Sequence, residues 1–308
     1  MRSGISIDVD AMRFYGAIHG LPKAPGENDP IYRLALPRFF DLLDEVGVPS
    51  TVFFVAEDLP LAGESLRAGL AATGSELASH SFAHDYRLGV RPKEEIRDDL
   101  GRAHAALSEA AGTPVVGFRA PGYNTTPAML ECLVELGYRY DSSLLPAPAY
   151  FGARAAAIAR YQLLGRPSAS LVGDLRAFWG PRGPYRTVPA APWRKVADGP
   201  LVELPMGVVP GVRFPLIGTS WVMLPRRLRM SLLRLGLLRT KAFTFEMHAI
   251  DLLDGSDPGV PPEVASAQPD LAVPLRKKLD AFRELFRYLR DHSEVSTLAS
   301  LAQQIDDA

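Results

Sequence analysis

Short apolar runs alternate with helix-period segments along the first half of the chain, which is the pattern of parallel strands joined by crossover helices. "GISIDVD" reads as a strand, and Leu36, Phe39, Phe40, Leu43 and Val46 then recur at helical spacing up to the stop at "VGVP". The alternation continues with "STVFFVAE" as a strand, "LPLAGESLRAGLAATG" as its helix and "SELASHS" as a third strand. A long solvated helix opened by Pro92 follows. "VVGFRAPG" supplies a fourth strand, "TPAMLECLVELG" a helix begun by a Thr cap and a Pro, and "YRYDSS" a fifth strand. Residues 144–200 lack this periodicity and are rich in Pro, Ala, Gly and Arg. They read as an irregular elaboration of a single 1–308 domain. Order returns with strands in "GPLVELPMGV" and "AFTFEMHAID" and an amphipathic helix on Leu279, Phe282, Leu285, Phe286 and Leu289. A last strand and helix lie in "EVSTLASLAQQI".

The informative polar residues fall at one end of these units. Asp8 and Asp10 close the first strand, His80 and His84 follow the third, Arg119 ends the fourth, Asp141 lies in the fifth, and His248 ends "FTFEMH". All strand C-termini share one face in a parallel α/β fold, so residues far apart in sequence converge there. One Asp with two His suits Zn²⁺ or a similar divalent ion, because it leaves positions open for water and substrate. H-x-x-x-H by itself fits surface or capping roles equally well, and a paired Asp at a strand end is often a turn or helix cap. Val9 between the two aspartates puts both on one side if the strand stays extended.

Composition narrows the field. A formal net charge of −1 gives no basic excess to hold a phosphate backbone, so nucleic acid is not the expected partner. The single cysteine, Cys132, forms no internal disulfide and sits in an apolar-periodic segment as a small buried hydrophobe. "MRSGISIDVD" lacks the apolar core of about 7–15 residues of an export signal, and no apolar run reaches about 18 residues. The expected location is therefore cytoplasmic, at the inner face of a membrane if the following segment acts as read. "PRRLRMSLLRLGLLRTK", residues 225–241, carries basic residues and no acidic one, interleaved with Leu and Met. It reads either as a barrel helix with its leucines buried and its arginines in water, or as a surface helix for anionic lipid headgroups. His19, His104 and His292 are assigned no chemistry, His19 being read as a surface residue.

Taken together, "SIDVD", "HSFAH", "FRAPGY", "YDSS" and "FEMHAID" resemble, in order and spacing, the five motifs of the polysaccharide deacetylases, the NodB-homology carbohydrate esterases. The Asp-x-Asp first motif is similar to that of peptidoglycan-deacetylase-like and lipid-linked-sugar deformylase-like members. The resemblance implies an α/β fold, a distorted (β/α) barrel with fewer than eight strands. It implies Asp10, His80 and His84 as ligands of a divalent metal, Zn²⁺ first and Co²⁺ or Mn²⁺ otherwise. Asp8 would be the general base, Arg119 its salt-bridge partner, His248 the general acid and Asp141 the carboxylate that orients it. Pro121 and Gly122 would shape a turn whose backbone N–H, at Gly122 or Tyr123, stabilises an oxyanion. The activity implied is removal of an acetyl or formyl group from an amino sugar in a glycan precursor or lipid-linked glycoconjugate. Two other readings stay open: an allantoinase-like hydrolase of a cyclic amide or ureide, and a non-catalytic carbohydrate-binding relative.

Overall fold

Strands buried on both faces and helices with one apolar stripe can satisfy both patterns only by packing as a parallel sheet inside a helical layer. The computed structural model, which describes residues 1–21, 28–238 and 240–306, has this arrangement. The strands are β1 (Arg2–Val9), β2 (Thr51–Phe54), β3 (Glu76–Ser79), β4 (Gly117–Phe118), β5 (Tyr140–Asp141), β6 (Tyr185–Thr187), β7 (Leu201–Glu203), β8 (Ala242–His248) and β9 (Glu294–Ser296). The helices are α1 (Met12–Ile18), α2 (Leu36–Val46), α3 (Leu59–Thr73), α4 (Lys93–Ala111), α5 (Pro127–Glu135), α6 (Pro148–Leu163), α7 (Gly218–Met223), α8 (Arg226–Leu237), α9 (Pro262–Ala267), α10 (Leu275–His292) and α11 (Leu298–Asp306).

Seven strands run parallel in the order β7-β5-β4-β3-β2-β1-β8. The antiparallel β6 edges β7, and β9 lies parallel to the first residues of β1, which makes nine strands among the described residues. The parallel path thus has fewer strands than the regular eight-stranded barrel. Its two ends approach each other, because the Gly207 amide just after β7 donates to the Thr244 carbonyl of β8 at 2.8 Å. The sheet is a curled, distorted barrel, as the resemblance implies.

The outer helices bury the stripes that their sequence periodicity marks. On α10, Phe282, Leu285, Phe286 and Leu289 are all fully buried, each worth about 1.5–3 kcal/mol relative to exposure. The Thr126 side chain accepts from the Met129 amide and Pro127 opens α5, so that helix starts where its cap and Pro place it. Cys132 is buried among apolar neighbours. The barrel floor is closed by α11. A Cβ on Gly4 would meet Leu298 at 2.4 Å and Leu301 at 2.9 Å, so glycine is what lets α11 approach β1.

One expectation needs revision. Residues 148–163, read as irregular, form α6. "PAYFGARAAAIARYQL" has strong intrinsic helix formers but buries only Phe151, so it has no apolar stripe to mark it as a helix.

Candidate active site

Register places the chemistry. Parallel pairing sets Asp8 of β1 opposite His248 of β8 and opposite Phe53 of β2, so two residues 240 positions apart become neighbours at the mouth of the barrel. Asp10 lies just past the end of β1, and His80 just past β3. His80 Nδ1 is 2.8 Å from the Arg119 carbonyl. A carbonyl only accepts, so Nδ1 carries the proton and Nε2 points its lone pair into the site.

The H-x-x-x-H spacing is spanned by a tight loop. Ser81 (φ 68°) and His84 (φ 52°) both take left-handed backbone, a costly conformation for non-glycine residues. The loop is held by the Ser81 hydroxyl, which accepts from the His84 amide at 3.0 Å, and by Asp99 of α4, which accepts from the Phe82 and Ala83 amides at 2.9 and 3.2 Å. Both imidazoles therefore face one point. Asp10 Oδ1 is 3.2 Å from the Nε2 atoms of both His80 and His84.

Arg119 is fully buried under this group. Its guanidinium donates to Asp8 Oδ1 at 2.5 Å, to Ser6 Oγ and Ser142 Oγ at 2.9 Å each, and to the Ser142 carbonyl at 2.7 Å. It also lies 4.1 Å over the Phe53 ring. The salt bridge expected for Asp8 is present. It leaves Asp8 Oδ2 free, 3.9 Å from His80 Nε2 and 4.0 Å from His248 Nε2.

The two aspartates are electrostatically distinct. Burial pushes the Asp8 carboxyl above its ordinary range even against the Arg119 charge. Burial acts upward on Asp10 as well, but the imidazoles of His84 and His80 outweigh it and hold that carboxyl well below the usual range. On His248, burial favours the neutral ring and Glu246 favours the charged one. Glu246 wins, so the imidazole sits well above its ordinary value.

Glu246 replaces the residue expected in this role. His248 Nδ1 lies 2.8 Å from Glu246 Oε1, both side chains standing on one face of β8 by the period of two. Asp141 instead accepts from Ser143 Oγ at 2.5 Å and stands opposite Glu203 in the β5–β7 register. With Ser143 Oγ accepting from the Ala120 amide at 2.8 Å, Asp141 braces the Arg119 segment from below. Two buried carboxyls side by side share a proton. The Asp141 carboxyl is pushed up to about 6, chiefly by burial, and Glu203 goes well above its normal range for the same reason.

Pro121, Gly122 and Tyr123 form the anticipated turn, in which Gly122 (φ 61°) and Tyr123 (φ 63°) are consecutively left-handed. The Tyr123 amide is engaged by the Ala120 carbonyl at 2.9 Å. The Tyr123 and Tyr15 rings stand 6.2 and 6.3 Å from the His248 ring. Phe14 and Tyr86 flank His84 at 4.2 and 4.8 Å.

Residues of α6 and the segment after it roof the site. Arg154 donates to the Gly122 carbonyl at 2.9 Å, and the Ala169 amide donates to the Ala17 carbonyl at 3.1 Å. Tyr161 Oη lies 2.7 Å from His19 Nδ1, whose other nitrogen is 2.9 Å from Gln268 Oε1. His19 is therefore a buried clamp and not a surface residue. Under this roof Asp8, Asp10, His80 and His84 are 0–3% exposed, while the His248 side chain is 24% exposed.

The donor set fits a divalent ion. The ligand atoms of Asp10, His80 and His84 all lie within 4.8 Å of one another. Asp8 Oδ2, Asp10 Oδ1 and His84 Nε2 are buried with no hydrogen-bond partner. Native proteins rarely leave such groups unsatisfied, and a cation between them would supply what they lack. One carboxylate with two imidazoles matches Zn²⁺ and similar ions.

Comparison with known proteins agrees with this geometry. Residues 28–140 match the polysaccharide deacetylase family. A peptidoglycan deacetylase of Helicobacter pylori is 23% identical over 145 residues, 45% of this chain and 48% of that protein, so the match spans about half of that relative's length. A Mycobacterium smegmatis structure carrying a provisional polysaccharide deacetylase assignment superposes with a TM-score of 0.57 at 21% identity, covering 99% of this chain and 90% of that one. A similarly assigned structure from Pseudomonas aeruginosa gives 0.58 at 17% identity, covering 98% and 89%. The Puue allantoinase gives 0.57 at 16% identity over 98% and 89%. These superpositions establish the fold.

Proposed function

We propose that the chain, whose residues 28–140 match the polysaccharide deacetylase family, hydrolyses the N-acetyl or N-formyl group of an amino sugar, using a divalent metal, Zn²⁺ first among candidates. One observation carries the reading: Asp10, His80 and His84 converge within 3.2 Å contacts beside an Arg119-paired Asp8 and a Glu246-paired His248. Ligands, base and acid are thus present together.

A cation held by Asp10, His80 and His84 would polarise the acyl carbonyl and acidify the attacking water. Asp8 Oδ2, 3.9 Å from His80 Nε2 and outside the proposed ligand set, takes the proton from that water. Arg119 fixes the Asp8 carboxylate by holding its other oxygen. Of the two candidate backbone donors in the turn, the Gly122 N–H is the one left to serve a developing oxyanion, since that of Tyr123 is already engaged by the Ala120 carbonyl. His248, charged through Glu246, gives its proton to the departing amine, which leaves neutral.

The roof supports a choice of substrate. A polymer chain threading past the metal needs an open groove, whereas α6 is tied to both the α1 wall and the Gly122 turn. A terminal or isolated amino sugar, as in a glycan precursor or lipid-linked glycoconjugate, suits this enclosure. The same enclosure favours a second reading, hydrolysis of a small cyclic amide or ureide.

The test is elemental analysis of the purified protein, followed by a mass-spectrometric screen for acyl loss across N-acyl amino sugars, chitooligosaccharides and cyclic ureides. Retained metal with acyl loss from terminal sugars is the expected result. Ring opening of a ureide with no action on sugars selects the second reading, and failure to retain any divalent metal overturns both.

A further inference from the structure

We propose that the outer face of α8 is a docking surface for an anionic lipid bilayer. α8 is joined to α10 on the flank of the barrel by ion pairs to Glu284 and delivers the chain to the floor end of β8. Its inward positions include the buried Leu233 and Gly236, as a barrel helix requires. Its outward positions break the usual rule. Leu228, Leu235 and, at the C-cap, Leu238 are 47%, 46% and 59% exposed, all on the side that faces away from the core. A single exposed leucine is ordinary, but three on the outward side of one short surface helix form the apolar part of an interfacial face.

The charges around that face select the occupant. From Leu204 to Phe245 the sequence contains no Asp or Glu, while it contains Arg213, Arg226, Arg227, Arg229, Arg234, Arg239 and Lys241. Arg239 lies outside the described residues. Arg226 and Arg229 are committed to Glu284 of α10. Arg227 and Arg234 are exposed and make no ion pair among the described residues, so their charge is available beside the leucines. The flank continues past Leu238. Arg182 lines the same cleft as Leu238 and Lys241, and Arg213 donates to the Gly180 carbonyl at 2.9 Å while lying 5.5 Å over the ring of Trp179, which is 68% exposed. Exposed Trp beside Arg is a common feature of a membrane–water interface.

A second copy of the chain fits this face poorly, since a twofold contact would set the arginines of one copy against those of the other. Phosphate headgroups meet the arginines and the acyl boundary meets the leucines, which satisfies both features at once. Each interfacial arginine adds about fivefold to partitioning onto an anionic surface.

Co-sedimentation of the whole protein with phosphatidylcholine vesicles, with and without phosphatidylglycerol, tests the proposal. Binding is expected only to the phosphatidylglycerol vesicles, and high salt should weaken it. Arg227→Gln/Arg234→Gln should reduce it by roughly 25-fold, and Leu228→Ser/Leu235→Ser should also reduce it while raising no difficulty for folding, because both leucines are exposed. Absence of binding at low salt, or equal binding by the wild type and both double variants, overturns it. A dimer in sedimentation velocity that Leu228→Ser/Leu235→Ser dissolves, without vesicle binding, overturns it in favour of a second copy. The outcome is independent of the chemistry at the barrel mouth.

Discussion

The Arg119–Asp8 pair makes the sharpest prediction about how the site is held. Both side chains are buried, at 0% and 1% exposure, and the guanidinium donates to Asp8, Ser6 and Ser142. Arg119→Met keeps much of the volume but leaves the Asp8 carboxylate without its counter-charge in a dry site. Breaking a buried pair from one side costs about 3–5 kcal/mol. Asp8→Asn strands Arg119 in the same way. The double variant removes both charges, and its remaining loss is that of the serine hydrogen bonds, about 1 kcal/mol each. The double variant should therefore be less destabilised than the two single losses added together, with a coupling energy of about 2–3 kcal/mol. Urea unfolding at pH 8, with metal content held constant and midpoints compared at equal slope, measures the cycle. Towards acid the Arg119→Met deficit should shrink, because the Asp8 carboxyl is already pushed upward by burial and sheds its charge on protonation. Single losses that simply add to within about 0.5 kcal/mol would refute the claim that Arg119 is there for Asp8.

Three further outcomes follow from the same geometry. Asp8→Asn should retain bound metal and lose turnover, whereas His80→Ala should lose both; elemental analysis beside a rate assay separates them, and near-normal turnover in Asp8→Asn would remove it as the base. Glu246→Gln should lower kcat by about 10²-fold or more with little change in KM, since it removes the carboxylate 2.8 Å from His248 Nδ1 while Asp141→Asn leaves that contact intact; the reverse ranking would restore Asp141 to the role. Asp141, pushed up to about 6 from a normal 3.8, binds its proton more tightly folded than unfolded. Its contribution to stability is full below about pH 3.8 and falls away as the pH rises through 6, so Asp141→Asn should remove that component of the wild type's pH dependence between those values. Parallel stability–pH curves for the two proteins would contradict this.

Much of the site was legible in the sequence because parallel strands end on one face. Asp8, Asp10, His80, His84, Arg119 and His248 each sit at or just past a strand end, and the fold needs only register to gather them. What escaped the sequence were contacts set by three-dimensional packing without periodicity. α6 is helical by propensity and lacks an apolar stripe, so its Tyr161–His19 and Arg154–Gly122 ties, which fasten it to the end of α1 and to the Gly122 turn, leave no trace in the hydrophobic pattern. The loop from His80 to His84 could have been a helical turn; two left-handed residues aim it instead, and no spacing rule distinguishes the two.

The partner of His248 could have been found. In a strand, side chains two apart share a face, so Glu246 in "FEMH" had to point where His248 points, while Asp141 stands on another strand, β5, where it accepts from Ser143 and lies opposite Glu203 of β7. For a carboxylate that must touch an imidazole, the neighbour fixed by covalent geometry has a smaller distance to close than one delivered from a different strand. The same rule, applied to β1, places Ser6 beneath Asp8, where it accepts from Arg119 at 2.9 Å. The inward-facing positions of two adjacent strands, Ser6 and Asp8 with Glu246 and His248, are therefore brought together by register alone, and they make up half of the proposed acid–base machinery.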